Sequence, residues 1–151
     1  MAPIYTGSYI SPFGELILGS FEDKLCLCDW RYRRMRQAVD RRIVEGLGAE
    51  LMEGDSPVIA EAAAELDQYF RGAHREFSLP LLPVGSEFQK LVWDALQQVG
   101  YGRTASYRDV AERIGKPEAV RALASANGAN ALSIFIPCHR IIGSGGELTG
   151  Y

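Results

Sequence analysis

A proline-interrupted apolar segment near the middle of the chain limits how this sequence can fold. Residues 79–83 read Leu-Pro-Leu-Leu-Pro, and two prolines this close together exclude a helix and favour an extended connection. The patterns on its two sides differ, with strand and turn signals before it and repeated helix signals after it. We therefore place a domain boundary near residue 83 and predict one domain over residues 1–83 and another over residues 84–151.

The first domain opens with the signals of an antiparallel meander. Apolar runs over residues 15–20 and 25–30 are bounded by turn-forming residues at 9–14 and 22–24, which predicts short strands joined by tight turns. Residues 46–55 are rich in glycine and acidic residues, and we interpret them as a connector.

A helix is predicted after this connector. Ser56 is a good N-cap and Pro57 suits the first helical position, while Arg71-Gly72 is a typical helix end. Apolar residues between these signals recur with helical period on one face: Ile59, Ala62, Ala63, Leu66, Tyr69 and Phe70. The first domain is therefore predicted to contain an antiparallel meander followed by a helix.

Two features of the first domain could carry chemistry. Six arginines lie between residues 31 and 42 and could bind phosphate, but a solvated face is favoured because acidic residues interrupt the run. Cys26 and Cys28 share one face of a predicted strand, and zinc would need two more ligands at suitable spacing. The nearest candidate, His74, is distant and alone, so we expect sheet packing and no metal.

The second domain carries three predicted helices. Ser86 begins an S-x-x-Q capping box and Ser106 an S-x-x-D signal, and Pro117 suggests a third helix that runs to about Asn127 and ends at Gly128. The first helix is expected to bury Phe88, Leu91, Val92, Ala95 and Leu96, and the second Val110, Ala111 and Ile114.

Two short helices joined by a turn containing Gly115 are typical of a helix-turn-helix. Short helical pairs are also common as plain packing units, so the pattern alone leaves DNA binding open. The predicted second helix of the pair, residues 118–126, is small and apolar. A sequence-reading regulator would carry polar base-reading side chains there, so we favour close groove contact without sequence preference.

The most distinctive polar group is Cys138-His139-Arg140, which lies inside an apolar segment and follows Pro137. Polar groups are costly to bury without a reason, and a thiol becomes a nucleophile when a neighbouring histidine or arginine favours its thiolate. The alternative is an inert buried cysteine beside two surface residues. A Cys-His hydrolase is disfavoured because neither a third orienting residue nor an oxyanion hole is recognisable.

Charge and composition limit the classes of partner that this protein is expected to bind. The formal net charge of −3 argues against nonspecific DNA coating; residues 1–83 hold 9 basic and 13 acidic side chains (−4), and residues 84–151 hold 7 and 6 (+1). If nucleic acid binds this chain, it should therefore bind the second domain. Three cysteines, the lack of a signal-peptide pattern and the lack of a long apolar stretch predict a cytoplasmic protein with no membrane contact.

Residues 84–151 resemble the O6-alkylguanine-DNA alkyltransferase (methylated-DNA–protein-cysteine methyltransferase) family. Residues 1–83 match it loosely, through Ser11-Pro12-x-Gly14 and the following strand. The closer matches, in the family's order and spacing, are Phe88-Gln89, Val92-Trp93, Tyr101-Gly102-x-Thr104-x-Ser106-Tyr107, Gly115-x-Pro117, Arg121-Ala122, Ala126-Asn127-Gly128-x-Asn130, Ile136-Pro137-Cys138-His139-Arg140 and Leu148-Thr149-Gly150-Tyr151.

The resemblance implies an α+β protein, with an N-terminal ribonuclease-H-like α/β domain and a C-terminal helical domain bearing a winged helix-turn-helix. It implies a monomeric DNA repair enzyme without cofactor or metal. Such an enzyme binds double-stranded DNA from the minor groove and flips out O6-alkylguanine, with O4-alkylthymine as an alternative substrate. It moves the alkyl group to Cys138 and is spent, because a thioether is not cleaved.

Site roles follow from the same resemblance. His139, acting through a water, resembles the base that forms the thiolate, and Tyr107 the proton donor to guanine N3. Arg121 resembles the finger that fills the stack, and Asn130 the residue that bonds the backbone of the cysteine turn. Pro137 and Arg140 are expected to be structural. Further DNA contacts are expected from Ala119, Ala122 and Ser125, and the base pocket from Trp93, Leu148, Gly150 and Tyr151.

The sequence departs from the family pattern at three places. Ala131 stands where a proline usually follows the asparagine, and Gly100 where a proline often precedes Tyr101. The sequence stops at Tyr151, before the Gly-Gly turn and last helix that carry the family's active-site glutamate. We expect a chain of this length to transfer more slowly, at a rate that rises with pH; the alternative is a lesion-binding protein with impaired or no transfer.

Overall fold

A computed structural model describes residues 2–72, 77–100 and 102–142. The chain divides into two compact units between Val84 and Gly85, and each is described by itself. No helix among these residues is long and apolar enough to cross a membrane.

The first unit is built on a four-stranded sheet of order β3-β2-β1-β4. Strands β1 (Ile4–Ser11), β2 (Gly14–Phe21) and β3 (Lys24–Trp30) form the antiparallel meander that the sequence predicted. The β2–β3 turn holds Glu22 and Asp23 at φ of 46° and 68°, the left-handed geometry that matches the twist of paired strands.

The predicted connector over residues 46–55 is wrong. Helix α1 (Arg36–Leu47) extends into it and ends at Gly48, whose φ of 61° suits a glycine cap. Strand β4 (Leu51–Glu53) then pairs in parallel with the start of β1. All three β4 side chains are exposed, so its sequence carries no burial pattern, and the pairing depends on the free edge of β1.

The arginine run is only partly the solvated face that we expected. Asp29 is fully buried at the end of β3, and its carboxylate accepts hydrogen bonds from Arg33 at 3.0 Å and Arg36 at 2.8 Å. Arg36 also pairs with Asp40 along α1. A buried carboxylate needs such partners, so two arginines of the run stabilise the fold while Arg34 and Arg41 stay exposed.

Helix α2 (Pro57–Phe70) forms where the sequence predicted it, and it packs on the sheet. The Ser56 hydroxyl accepts the Ile59 N–H at 3.1 Å, and Arg71 is the C-cap. The buried face is rotated slightly from the prediction, because Val58 is buried and Ile59 only half-buried. The residues that follow are extended, as expected: Leu25 N donates to Pro80 O at 2.9 Å, and Leu82 N donates to Leu25 O at 2.8 Å.

The second unit is a helical domain. It contains α3 (Glu87–Leu96), α4 (Tyr107–Arg113), α5 (Val120–Gly128) and a 3-10 helix (Cys138–Arg140). Both predicted capping boxes, at Ser86 and Ser106, are confirmed.

Two helix predictions need correction. Leu91 is 40% exposed, although we expected it in the buried face of α3, and Trp93 is buried instead. Helix α5 begins at Val120 and not at Pro117, because residues 117–118 form a turn in which Ala119 N donates to Lys116 O at 2.9 Å. Pro117 therefore lies in the turn of the helix pair, which also holds Gly115 at φ of 75°.

A short two-stranded sheet completes the described part of this unit. Strands β5 (Ala105–Ser106) and β6 (Ile141–Ile142) pair in parallel. Within residues 102–142 these strands do not form a hairpin, so the wing of the predicted winged helix-turn-helix stays a prediction.

Candidate functional site

Residues 130–140 form a compact loop, here called the cysteine turn, that is closed by one side chain. The Asn130 carboxamide donates from Nδ2 to Ile136 O at 2.9 Å and accepts the Leu132 N–H on Oδ1 at 3.0 Å. Ile136 O also accepts the Cys138 N–H at 2.8 Å. The carbonyl held by Asn130 therefore holds the backbone of Cys138 in turn.

The cysteine turn contains one strained residue. Ile134 has a φ of 73° and is 8% exposed, whereas a β-branched residue normally avoids positive φ because its Cβ crowds the backbone. Tight contacts on both sides hold this conformation, with Ile136 N donating to Leu132 O at 2.7 Å and Phe135 N donating to Ser133 O at 2.8 Å. Such strain persists only where the surroundings enforce it.

Cys138 begins the 3-10 helix and is only 2% exposed. Its neighbour His139 is exposed on the same short helix. Burial of part of the ring lowers the pKa of His139 below its usual value, and the charge of Arg140 lowers it further. The imidazole is therefore neutral at pH 7, which is the form that accepts a proton.

Arg140 anchors the end of the 3-10 helix. Its Nη1 donates to Val99 O, just beyond α3, at 2.7 Å, and its backbone N–H bonds Pro137 O at 3.0 Å. A charged donor to a backbone carbonyl is a strong hydrogen bond. Arg140 thus fixes the cysteine turn to the end of α3 and places a positive charge beside His139.

Tyr107 is the first residue of α4 and is buried. Ser106, its neighbour, is the N-cap: its backbone N–H donates to Asp109 Oδ2 at 3.1 Å, and its hydroxyl accepts the Asp109 backbone N–H at 3.0 Å. Hydrogen bonds from the backbone and side chain of Ser106 lower the pKa of the Asp109 carboxyl. Ser106 also lies in β5, opposite Ile142 of β6. Because β6 directly follows the 3-10 helix, this pairing brings the start of α4 to the end of the cysteine turn.

Helix α5 presents an exposed face of mostly small side chains. Arg121 is exposed, and its guanidinium makes no hydrogen bond or ion pair with any residue that the structure describes. Ala122 and Ser125 are exposed beside it, and Ala119, the N-cap, is half-exposed. The long cationic side chain of Arg121 therefore projects from a face of mostly small side chains and can reach a polyanion.

The sequence matches two family models that together span most of the chain. Residues 4–83 match the ribonuclease-like domain of 6-O-methylguanine DNA methyltransferase, and residues 87–151 match the DNA binding domain of the same family. The chain belongs to the methylated-DNA–protein-cysteine methyltransferase family.

Individual relatives agree with this membership. The constitutive methylated-DNA–protein-cysteine methyltransferase of Bacillus subtilis is 40% identical over 147 residues, covering 93% of this chain and 82% of its own length. The methyltransferase of that name from Methanosarcina acetivorans is 36% identical over 148 residues, covering 98% and 89%.

Solved structures of the family have the same fold. The Mycobacterium tuberculosis OGT in complex with DNA superposes with a TM-score of 0.82 at 35% identity and covers 97% of this chain and 83% of its own. The O6-methylguanine-DNA methyltransferase of Pyrococcus kodakaraensis, at 22% identity and a TM-score of 0.59, supports the fold alone. The predicted α+β class and family are thus confirmed.

In this alkyltransferase chain the described structure brings together part of the predicted site. Cys138, His139, Arg140, Pro137 and Asn130 share the cysteine turn, and β5–β6 pairing adds Tyr107. The remaining pocket residues predicted near the chain end, Leu148, Gly150 and Tyr151, lie outside the described residues, as do Tyr101 and His74.

Trp93, which we expected in the base pocket, is a buried residue of α3. It is 2% exposed, and its indole Nε1 donates to Ala126 O at 2.9 Å. That bond joins α3 to α5, and the pocket role of Trp93 stays a prediction.

Sequence reasoning gave no role to Ile134 or Asn127. The positive φ of Ile134 could not be predicted, because an isoleucine in an apolar segment gives no sequence signal for this conformation. Asn127 did carry a signal, since it is a polar residue placed on the buried side of α5 between Leu123 and Asn130.

Among the described residues no group of histidine, cysteine and carboxylate side chains could hold a metal ion.

Proposed function

We propose that this chain repairs alkylated DNA by moving a methyl or other alkyl group from O6 of guanine to Cys138, once per molecule. The observation that carries the proposal is the cysteine turn, in which Asn130 holds the Cys138 backbone and β5–β6 pairing joins the turn to the helix pair. The proposed nucleophile and the proposed DNA-binding helix pair are therefore joined by hydrogen bonds within the second unit.

The chemistry is a single displacement. His139 accepts the thiol proton through a water, and Sγ of Cys138 attacks the alkyl carbon. The S–C bond forms as the C–O6 bond breaks, and the electron pair leaves with guanine. Tyr107 donates a proton to N3 of the departing base, so normal guanine remains in the DNA. The reaction needs no cofactor, because the base is the donor and the cysteine the acceptor.

The DNA steps follow from the position of the alkyl group. A group on a base inside a duplex cannot be reached, so the nucleotide must be flipped out. Arg121 fills the gap in the stack, and the small side chains Ala119, Ala122 and Ser125 let α5 lie close against the minor groove. The chain acts as a monomer in the cytoplasm.

The lesion-binding alternative is not favoured. It requires a protein that cannot accept the alkyl group, whereas Cys138 is present and the relatives that match most of the chain are named as methyltransferases. Cys26 is a poor rival nucleophile, because burial raises the pKa of its thiol to about 12.

The proposal is tested by intact mass after incubation with duplex DNA containing O6-methylguanine. We expect each chain to gain one methyl group in place of the thiol hydrogen, and peptide mapping to locate it on Cys138. The Cys138→Ala variant should gain nothing yet keep its DNA affinity. Methylation of Cys26 or Cys28, or repeated turnover of the substrate, would rule the mechanism out.

A further inference from the structure

Strand β4 leaves one edge of the sheet in the first unit open. The strand order is β3-β2-β1-β4, so β3 and β4 are the two edges. The β3 edge is partly covered, because the backbone of Leu25 bonds Pro80 and Leu82. Within the described part of the chain, nothing pairs with the outer side of β4. An edge of this kind is a template for pairing with another chain.

The backbone of β4 has donors and acceptors free on this outer side. The register places Leu51 opposite Ile4 and Glu53 opposite Thr6. In a parallel ladder each β1 residue bonds the neighbours of its partner, and Ile4 N accordingly donates to Glu50 O at 2.8 Å. The N–H and C=O groups of Leu51 and Glu53 therefore point away from β1. They offer two donors and two acceptors to an added strand.

An apolar groove lies beside this open edge. It has a volume of about 470 Å³, and its lining includes Pro3, Val44, Ala49 and Met52. Met52 is 55% exposed, and the neighbouring Leu51 is 38% exposed. A strand laid along β4 would remove these apolar side chains from water, which adds a hydrophobic contribution to the backbone bonds.

The surface around the edge is acidic. Four exposed carboxylates form no ion pair with any described residue: Glu45, Glu50, Glu53 and Asp55. Residues 43–70 contain no lysine, arginine or histidine. Arg31 lines the same surface depression as Glu53, but it pairs with Glu15 at 3.0 Å. The charge at the edge is therefore complementary to a basic segment.

We propose that the β4 edge is the docking site for an extended, basic segment of a partner protein. The segment adds a strand to the sheet through the free backbone groups of Leu51 and Glu53. Its lysine or arginine side chains lie against the carboxylates, and a large apolar side chain enters the groove beside Met52. This inference concerns the first unit and does not depend on the proposed function.

Charge argues against two other occupants of the edge. A second copy of this chain, paired through the same strand, would bring two sets of carboxylates together, and like charges destabilise a strand pair. Nucleic acid is itself a polyanion and would be repelled by the same side chains. A basic protein segment meets neither obstacle.

Selection from a display library of random short peptides tests the proposal, because it does not presuppose the sequence of the partner. We expect the full chain to enrich peptides that combine lysine or arginine with a large apolar residue. The selected peptides are then synthesised, and their affinity is measured by fluorescence anisotropy. Binding should weaken as salt is added, because ions screen exposed charge pairs.

Leu51→Pro removes one outward donor and no bond to β1, and proline is tolerated on an edge strand whose N–H faces solvent. We expect it to lower the affinity for the selected peptides by about tenfold, which corresponds to the loss of one hydrogen bond. Its folding is checked by thermal unfolding. Met52→Pro is the matched control for direction, because it removes an inward donor and should lower the melting temperature.

A charge-reversed chain tests the edge without a proline. Glu50→Lys with Glu53→Lys should also weaken the selected peptides by tenfold or more, since two attractive contacts become repulsive. The control is a single Glu61→Lys change, at an exposed residue of α2 outside the edge and groove, which should have little effect. This variant decides the question if Leu51→Pro does not fold.

Three results would overturn the proposal. The first is no enrichment over an unrelated protein. The second is equal affinity of the selected peptides for the unchanged chain and for the folded edge variants. The third is a dimer in sedimentation that an edge variant disperses, because the occupant would then be a second copy. Methyl transfer to Cys138 should be the same in all folded variants, so failure of the proposed function is read separately.

Discussion

At the scale of single residues, the site combines one strained residue with one perturbed base. Ile134 is held at positive φ inside the cysteine turn, and His139 is held neutral beside Cys138. Neither property is visible in the sequence as a motif. Both arise from the loop that Asn130 closes, so each can be tested by changing one side chain.

The strain at Ile134 predicts an unusual order of stability. Ile134→Gly and Ile134→Ala both remove the buried side chain, but only alanine keeps a Cβ at φ of 73°. A left-handed conformation costs a residue with a Cβ about 1–2 kcal/mol. We therefore expect the glycine variant to be more stable than the alanine variant by about 1 kcal/mol in denaturant unfolding, the reverse of the order at an ordinary position. The opposite order would show that the turn is unstrained.

The neutral state of His139 predicts a pH profile. Its pKa is lowered from about 6.5, so the ring gains a proton only as pH falls below that value, and only there should it stop accepting the Cys138 proton. NMR titration can follow His139 alone in a His74→Gln chain, since the sequence has 2 histidines.

Arg140 supplies the control for this titration. Arg140→Met removes the neighbouring charge and should raise the pKa of His139 toward its usual value, while Arg140→Lys should keep it low. No rise in the methionine variant would mean that burial alone sets the shift.

At the scale of elements, the sequence correctly predicted the helix starts and strands that depend on interactions between residues close together in the chain. The capping boxes at Ser86 and Ser106 and the N-cap at Ser56 each satisfy backbone groups within their own helix, so the sequence located these helix starts correctly. The meander was predictable for the same reason, since neighbouring strands pair across short turns.

Elements that depend on distant partners were missed. Strand β4 exists because β1 offers an unpaired edge, and Asp29 is buried because Arg33 and Arg36 reach it from outside β3. The start of α5 was predicted wrongly at Pro117, because a proline suits a turn as well as the first turn of a helix. The Cys138 site was predicted in outline by its motif, but the bond from Asn130 to Ile136 O was expected only from the family resemblance.

Helix α5 carries Arg121, which we propose as the finger that fills the stack. Arg121→Ala should slow repair of duplex DNA far more than reaction with free O6-methylguanine base, because a free base has no stack to leave and holding a flipped state costs a few kcal/mol. The rates are compared by single-turnover methylation of Cys138.

Arg41→Ala is the matched control for Arg121. Arg41 is an exposed arginine on α1 in the first unit, so the variant changes net charge equally while leaving α5 intact, and it should affect both substrates little. If Arg121→Ala slows both reactions by the same factor, Arg121 supports the fold and is not a finger.

At the scale of the whole molecule, the fold places its nucleophile where the product cannot fit without a change. Cys138 is almost fully buried in a turn closed by Asn130 and anchored to Val99 by Arg140. We expect the packing that buries the thiol to leave little room for an added alkyl group. Repair and loss of stability are therefore linked, because the atom that accepts the damage is part of the core of the second unit.

This link predicts that the spent protein is less stable than the unreacted one. Adding a methylene to a well-packed core costs about 1–3 kcal/mol, which for a chain of this size lowers the melting temperature by several degrees, about 2–4 °C for each kcal/mol. Thermal unfolding before and after complete methylation by O6-methylguanine DNA measures the shift, and the Cys138→Ala chain, treated in the same way, should show none. A larger alkyl group such as benzyl should lower the melting temperature further, because it needs more space in the same turn. If the methylated chain melts at the same temperature or higher, the surroundings of Cys138 open without cost, and the burial of the thiol is not part of the mechanism.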